Sequence, residues 1–132
     1  QPNIIKPNQM ELSEVMGREL RTVNEILAAA KELSATGIDL VTVSMGGEGA
    51  VFVTKDQCLR GYSPKVTVAS TAGAGDSMMA ALAHYSSAGC SLEETARRAM
   101  AVASATVMCS GSEAAELSAI LPLIDRVRVE PI

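Results

Sequence analysis

The sequence has 132 residues, with 11 Lys+Arg against 15 Asp+Glu and a formal charge of −4, a length that fits one domain of ordinary size. Hydrophobic residues make up 48% and charged residues 20%, a globular balance that argues against intrinsic disorder. The chain is acidic, has no Trp and carries only Phe52, Tyr62 and Tyr85 as aromatic residues, so it lacks the basic, ring-lined groove that holds single-stranded nucleic acid, and no nucleic-acid partner is expected.

The chain opens on Gln1 and runs directly into Ile4-Ile5, read as a short strand within a piece of a longer chain. Lys6-Pro7-Asn8 ends that strand, because Pro cannot donate in a strand interior and keeps the residue before it out of the helical region. A short helical segment is predicted from Ser13 through Val15 and Met16. A second helix, Val23–Ser34, places Val23, Ile26, Leu27, Ala30 and Leu33 at helical spacing. Thr22 with Glu25 three residues on has the capping-box order, and Gly37 is the expected left-handed stop. The β-branched run at 39–44 reads as a buried strand, 45–49 as a glycine turn and 50–54 as its hairpin partner. Further short strands are predicted over Cys58–Tyr62 and 65–69. From Gly75 the pattern turns helical, with Met78, Met79, Leu82 and Ala83 as the apolar face to Ala88 and Gly89 as the stop. Ser91, with Glu94 three residues later, caps a helix from Leu92 that carries Ala96, Ala99, Met100, Ala103 and Val107 and ends near Cys109-Ser110-Gly111. A last helix over 114–125 is interrupted by Pro122, and 127–129 closes as a strand. The order is that of an α/β layer architecture in a single domain over 1–132.

No apolar run reaches the roughly 18–20 residues that cross a bilayer, and the first residues lack the layout of a secretory signal, so no membrane partner and a cytoplasmic location are expected. Cys58, Cys90 and Cys109 are odd in number, widely spaced and without a C-x-x-C pair, which fits free thiols in a reducing compartment. His84 and Cys90 are too isolated to make a zinc site, which takes about four ligands.

The stretch Ser70-Thr71-Ala72-Gly73-Ala74-Gly75-Asp76-Ser77 follows a strand and opens a long helix. A helix start leaves its first N–H groups unpaired at the positive end of the dipole, and glycines let an anion approach them. The expected result is an anion hole from the backbone of Ala74, Gly75 and Asp76, sized for a phosphoryl oxygen. The Asp76 carboxylate in the same turn would take the proton of a hydroxyl that attacks phosphorus. The plain alternative is a glycine-rich turn with Asp76 as an N-cap. There is no G-K-[S/T] of a Walker loop and no third glycine of a dinucleotide fingerprint. A second cluster, Ser44-Met45-Gly46-Gly47-Glu48-Gly49, lies between two strands, where bare backbone could pass a nucleotide phosphate or simply turn a hairpin. In the third, Lys6-Pro7-Asn8-Gln9-Met10-Glu11, an Asn and a Glu three residues apart could face a hydrated Mg²⁺ or a phosphate, or merely begin a surface helix.

In this order the three clusters resemble the C-terminal part of the ribokinase-like sugar kinases of the phosphofructokinase B family. The second signature of that family is met from Ser70 through Gly73-Ala74-Gly75-Asp76 to Ala80-Ala81-Leu82-Ala83. Lys6-Pro7-Asn8 with Glu11 resembles its N-x-x-E element, and 44–49 resembles its nucleotide-binding hairpin. Ser70-Thr71 before the glycines and Ser77-Met78 after Asp76 are most similar to the hexose-phosphate branch, which holds 1-phosphofructokinase, the minor 6-phosphofructokinase and tagatose-6-phosphate kinase.

The resemblance implies a ribokinase-like three-layer α/β/α fold, of which this chain is the C-terminal nucleotide-binding portion, and ATP-dependent phosphorylation of a sugar-phosphate hydroxyl. It implies Asp76 as catalytic base, with Gly73, Ala74 and Gly75 as the anion hole for the γ-phosphate. Lys6, Asn8, Ser44, Gly46, Glu48 and Gly49 would line the ATP phosphates and ribose, and Ser110 and Gly111 would lie beside the adenine. Asn8 and Glu11 would organise water around Mg²⁺, and the Ser70 and Ala72 carbonyls would face a monovalent cation such as K⁺. Relatives often have Asp at the position of Ser70 and a Gly-Thr spelling near Cys109-Ser110-Gly111-Ser112. The partners implied are ATP and a small phosphorylated sugar, with a homodimeric parent chain. The sugar pocket and lid belong to the N-terminal half of the family and are outside this chain. A non-catalytic nucleotide-binding module is the competing reading, and a carboxylate beside the γ-phosphate position favours the kinase.

Overall fold

Asn8 and Thr22 start the first two helices by the same device. In the computed structural model, which describes residues 3–69, 73–108 and 117–132, α1 (Gln9–Met16) has Asn8 as its N-cap and α2 (Val23–Ser34) has Thr22. Each cap oxygen accepts an N–H from three residues on, and the Glu11 and Glu25 carboxylates accept in return from the cap N–H groups. Donors that a helix start otherwise orphans are thereby paired. Helix α1 therefore begins at Gln9 and not at Ser13. The Ser13 hydroxyl sits inside the helix, donating to the Gln9 carbonyl at 2.9 Å and accepting from Leu20 N–H at 3.1 Å. Gly17, at φ 68°, closes α1. Helix α2 occupies its expected span but ends on Ala35 in right-handed conformation. The predicted stop, Gly37, comes later at φ 108°, in a turn where Thr36 and Gly37 N–H groups bond the Leu33 and Ser34 carbonyls.

The strands β1 (Ile4–Ile5), β2 (Leu40–Ser44), β3 (Ala50–Val53), β4 (Cys58–Tyr62) and β5 (Arg128–Pro131) form one sheet in that spatial order. β1 runs parallel to β2, and α1 and α2 supply the crossover such a pair needs. β2 and β3 form the expected antiparallel hairpin, with Thr42 opposite Phe52 and Val43 opposite Val51, so the sheet is mixed. Val41, Val43, Val51 and Val53 pack with Leu12, Leu20, Ile26, Ala29 and Ala30. Leu40, Thr42, Ala50 and Phe52, at the alternate positions, are buried as well, which accounts for the unbroken apolar reading of these strands. Residues 65–69 are extended without joining the sheet, contrary to expectation. Their bonds go elsewhere: Ala69 N–H reaches Val107 O at 2.8 Å, and the Lys65 carbonyl accepts from Arg126 Nη2 at 2.7 Å.

Helix α3 (Ala74–Ser87) packs along α4 (Leu92–Val107), and α4 along α5 (Leu117–Ile124), which carries Pro122. The buried stripe of α3 is Met78, Ala81 and Leu82, while Ala83 is exposed. Ala96, Ala99, Ala101 and Ala105 are buried on α4 beside Met100, and the alanines permit close helix approach. Ser91 caps α4 through the Glu94 N–H at 3.2 Å. By internal contacts the chain forms two compact units, Gln1–Arg60 with Glu130–Ile132, and Gly61–Val129. Among the described residues no helix is long and apolar enough to cross a membrane. Cys58 and Cys90 are free thiols, and Cys109 lies outside the described residues.

The Glu25 carboxyl sits below the usual carboxylate range, chiefly because the Thr22 N–H bonds its charged form, with Arg21 N–H adding to it. A lowered native pKa stabilises the fold above the ordinary carboxylate range, and that contribution is lost as pH falls through the native value. Urea midpoints measured from neutral to acid pH should therefore show a shallower acid loss in Glu25→Gln than in the parent. Thr22→Ala should cost about 1 kcal/mol at neutral pH.

Candidate functional site

The start of α3 is built differently from the others. Its cap is Gly73, at φ 79° and ψ −6°, and among the described residues no side chain caps the first turn. The first helical bond is Ser77 N–H to Gly73 O at 2.9 Å. The N–H groups of Ala74, Gly75 and Asp76 precede it and have no partner among the described residues. Asp76 occupies the third helical position, is exposed, and does not cap the helix as the plain alternative held. Its carboxylate instead belongs to the first turn, at the positive end of the helix dipole. A left-handed cap is open to glycine at little cost, and a Cβ on Gly73 would meet only Thr106 Cγ2 at 4.0 Å.

The second group of residues lies in the first unit. Ser44 N–H donates to Pro7 O at 3.2 Å, and Asn8 pairs with Ser44 in a single parallel bridge, so the segment after β1 is drawn along the end of β2. Beyond β2 the residues Gly46–Glu48 make one 3-10 turn. That turn is held by Met45 N–H to Gly49 O at 2.8 Å, Glu48 N–H to Met45 O and Gly49 N–H to Gly46 O. The Gly46 and Gly47 N–H groups take no acceptor among the described residues, and both glycines are exposed. Gly46 at φ 60° and Gly49 at φ 93° are the positions where the turn demands glycine.

Asn8, Ser44 and Gly46 line one cleft of about 540 Å³. Lys6, Glu11, Glu48 and Gly49 border the same segments without lining it. The cleft also takes in Gln9, Ser13, Glu19 and Leu20, which the sequence reading did not single out. The signal for them was Gly17, whose left-handed turn brings the chain back so that Gln9 Nε2 donates to Leu20 O at 2.7 Å. Asn8 Oδ1 and Glu11 Oε1 are both engaged in the capping box, so the plain helix-start reading holds for this pair. Glu11 itself is exposed. Among the described residues no three His, Cys, Asp or Glu side chains gather as a metal cage. The structure unites Gly73–Asp76 in one unit and Asn8, Ser44 and Gly46 in the other. Ser70, Ala72, Ser110 and Gly111 lie outside the described residues.

The model of the pfkB family of carbohydrate kinases matches residues 1–119. The chain is 36% identical over 132 residues to a 1-phosphofructokinase of Haemophilus influenzae, covering 99% of this chain and 42% of that protein. Its structure is similar to phosphofructokinase-2 of Escherichia coli solved with substrates and products, with a TM-score of 0.88 and 34% identity over 94% of this chain and 40% of that one. It is likewise similar to an Arabidopsis thaliana ribokinase complexed with ribose and ATP, with a TM-score of 0.83 and 30% identity over 92% and 40% of the two chains. The fold is ribokinase-like α/β, and the chain spans about two fifths of the length of these relatives.

Gly73→Ala tests whether backbone conformation alone dictates that glycine. Gly89, at φ 83° with open space around it, is the control. Each alanine should cost about 1–2 kcal/mol in chemical denaturation, the strain of a left-handed residue with a Cβ. A much larger loss at Gly73 would instead indicate crowding against Thr106.

Proposed function

The chain belongs to the pfkB family of carbohydrate kinases, and from that premise we propose that the complete protein moves the terminal phosphate of ATP to a hydroxyl of a sugar phosphate. The acceptor we propose is fructose 1-phosphate, giving fructose 1,6-bisphosphate, on the strength of likeness to a 1-phosphofructokinase along nearly the whole chain. Likeness to phosphofructokinase-2 of E. coli makes fructose 6-phosphate the second candidate. This chain is the nucleotide-binding and base-bearing part, and the sugar pocket lies in residues outside it.

One observation carries the reading: the bare start of α3, with an exposed carboxylate in its first turn. In the proposed reaction the sugar oxygen attacks the γ-phosphorus, its proton passes to Asp76, and ADP leaves. The N–H groups of Ala74, Gly75 and Asp76 hold the oxygens on which charge accumulates, the arrangement that lowers such barriers most. Gly46, Glu48 and Gly49 with Ser44, Lys6 and Asn8 line the nucleotide. Mg²⁺, when bound, neutralises phosphate charge. Glu11 and Asn8 fit an outer-sphere role, since it uses water-bridged contacts and leaves the capping box in place. A monovalent cation beside Ser70 and Ala72 and an adenine site beside Ser110 and Gly111 complete the proposal. The E. coli relative has been solved in complex with potassium, and also in a tetrameric inhibited form, which supports the cation and self-association, proposed here as a dimer. A cytoplasmic location accords with ATP as donor.

Asp76→Asn in the complete protein should lower kcat by roughly 10²–10⁴-fold, the scale of a general base, with ATP affinity nearly unchanged. Steady-state assay with fructose 1-phosphate reads this directly, and retained turnover would remove Asp76 as the base. The 132-residue chain alone should turn over fructose 1-phosphate poorly or not at all in the same assay, because the acceptor pocket is elsewhere. Robust turnover by it would place that pocket within these residues.

A further inference from the structure

We infer that Arg60 is a positioning residue for the nucleotide turn, orienting the Gly47 N–H through two hydrogen-bonded peptide groups. The inference rests on the kinase reading above and assigns a role to a residue that reading leaves unused.

Arg60 lies half-buried on β4, next to the hairpin strand β3. Its Nη2 donates to the Glu48 carbonyl at 3.2 Å. Among the described residues this is the bond that fastens the Gly46–Glu48 turn to another strand, since the backbone bonds of the turn are internal to 45–49. The Glu48 carbonyl and the Gly49 N–H are two ends of one peptide group. That N–H donates to the Gly46 carbonyl at 3.2 Å. The Gly46 carbonyl in turn shares its peptide group with the Gly47 N–H, which faces outward without a partner among the described residues.

A guanidinium therefore stands at one end of two linked peptide dipoles and an unspent donor at the other. Hydrogen-bonded groups in series polarise one another, and a charged donor at the head strengthens the effect. The anchor also restricts geometry. Gly46 at φ 60° and Gly49 at φ 93°, ψ −141° sit in regions that glycine enters and leaves freely, so the Gly46–Gly47 peptide takes its orientation from the bond its carbonyl accepts from Gly49 N–H, and Arg60 fixes the peptide group that makes that bond. An anion approaching the turn benefits from a donor already aimed at it. Arginine suits the task because its planar fork loses less freedom per bond than a lysine ammonium.

The test compares Arg60→Met, which keeps the apolar stem, with Arg60→Lys in the complete protein. Arg60→Met should raise both KM for ATP and the dissociation constant of a non-hydrolysable ATP analogue by about 5–20-fold, the range of one lost charge-assisted bond. KM for the sugar phosphate and the urea midpoint should stay in place, and Arg60→Lys should recover part of the loss. In nucleotide-free protein the Gly47 amide proton resonance should shift in Arg60→Met, which a mere phosphate contact by Arg60 would not produce. An unchanged ATP constant, an equal rise in sugar-phosphate KM, or a stationary Gly47 resonance overturns the inference. Asp76→Asn serves as reference: if it abolishes turnover while Arg60→Met is silent, the Arg60 role alone falls, and if it leaves turnover intact, the kinase reading falls with it.

Discussion

Three backbone N–H groups at the start of α3 that the helix cannot pair itself are the constraint on which the candidate chemistry depends. Helices begin with such orphans by geometry, and this chain normally removes them. Asn8, Thr22 and Ser91 each cap their helix with a side-chain oxygen. Gly73 does not. Because the same sequence caps α1, α2 and α4, the bare start of α3 is not a shortage of capping residues. A Ser at residue 73 would offer its oxygen to the same N–H groups and would resist the left-handed backbone. Glycine leaves the donors without a side-chain cap among the described residues, and Asp76 follows where the dipole favours a carboxylate.

The first unit reaches the same end by another route. At the tip of the β2–β3 hairpin the chain cannot offer a helix start, so a single 3-10 turn between two left-handed glycines exposes the Gly46 and Gly47 N–H groups instead. In both places a glycine gives up conformational restriction and leaves backbone N–H groups without a side chain over them, the arrangement that the proposed phosphate contacts require. The hairpin strands on either side of that turn are buried on both faces, which gives the mobile-prone glycines a rigid base.

Local signals were legible in the sequence wherever they were self-sufficient. Helix α2 with its Thr22–Glu25 box, strand β4, the hairpin and the Ser91 cap all follow from short-range chemistry. The Asn8–Glu11 box was spelled just as clearly, yet Pro7 drew attention to an ending and obscured the beginning one residue later. The extended run at 65–69 has strand-like β-branched composition in Val66, Thr67 and Val68, but pairing is a tertiary property. The Lys65 carbonyl and the Ala69 N–H at its two ends are taken by Arg126 and Val107, which no local pattern announces. On α3 the face was displaced, with Ala81 in and Ala83 out, because Ala fits either side and only the packed neighbour decides. The helix start at Gly73–Asp76 was legible because glycine, alanine and glycine ahead of an aspartate signal an uncapped first turn locally, although no strand directly precedes it among the described residues. The wider cleft around Gln9, Ser13 and Leu20 was not, because it depends on a chain reversal at Gly17.

The two groups of candidate residues, one in each unit, differ in how much of the fold they hold up. Asn8 caps α1, locks Glu11 and pairs with Ser44 at once, so any change there alters the end of β2 and the helix start together, whatever it does to the proposed nucleotide contacts. Its effects on activity are read fairly only through Asn8→Asp, which preserves the cap. Asp76 has no hydrogen bond or ion pair among the described residues, and its helix begins without it. A functional loss at Asp76 therefore reports on chemistry, and a loss at Asn8 reports first on architecture. That asymmetry follows from where the donors are spent: capping groups serve the fold, and uncapped ones remain for a ligand.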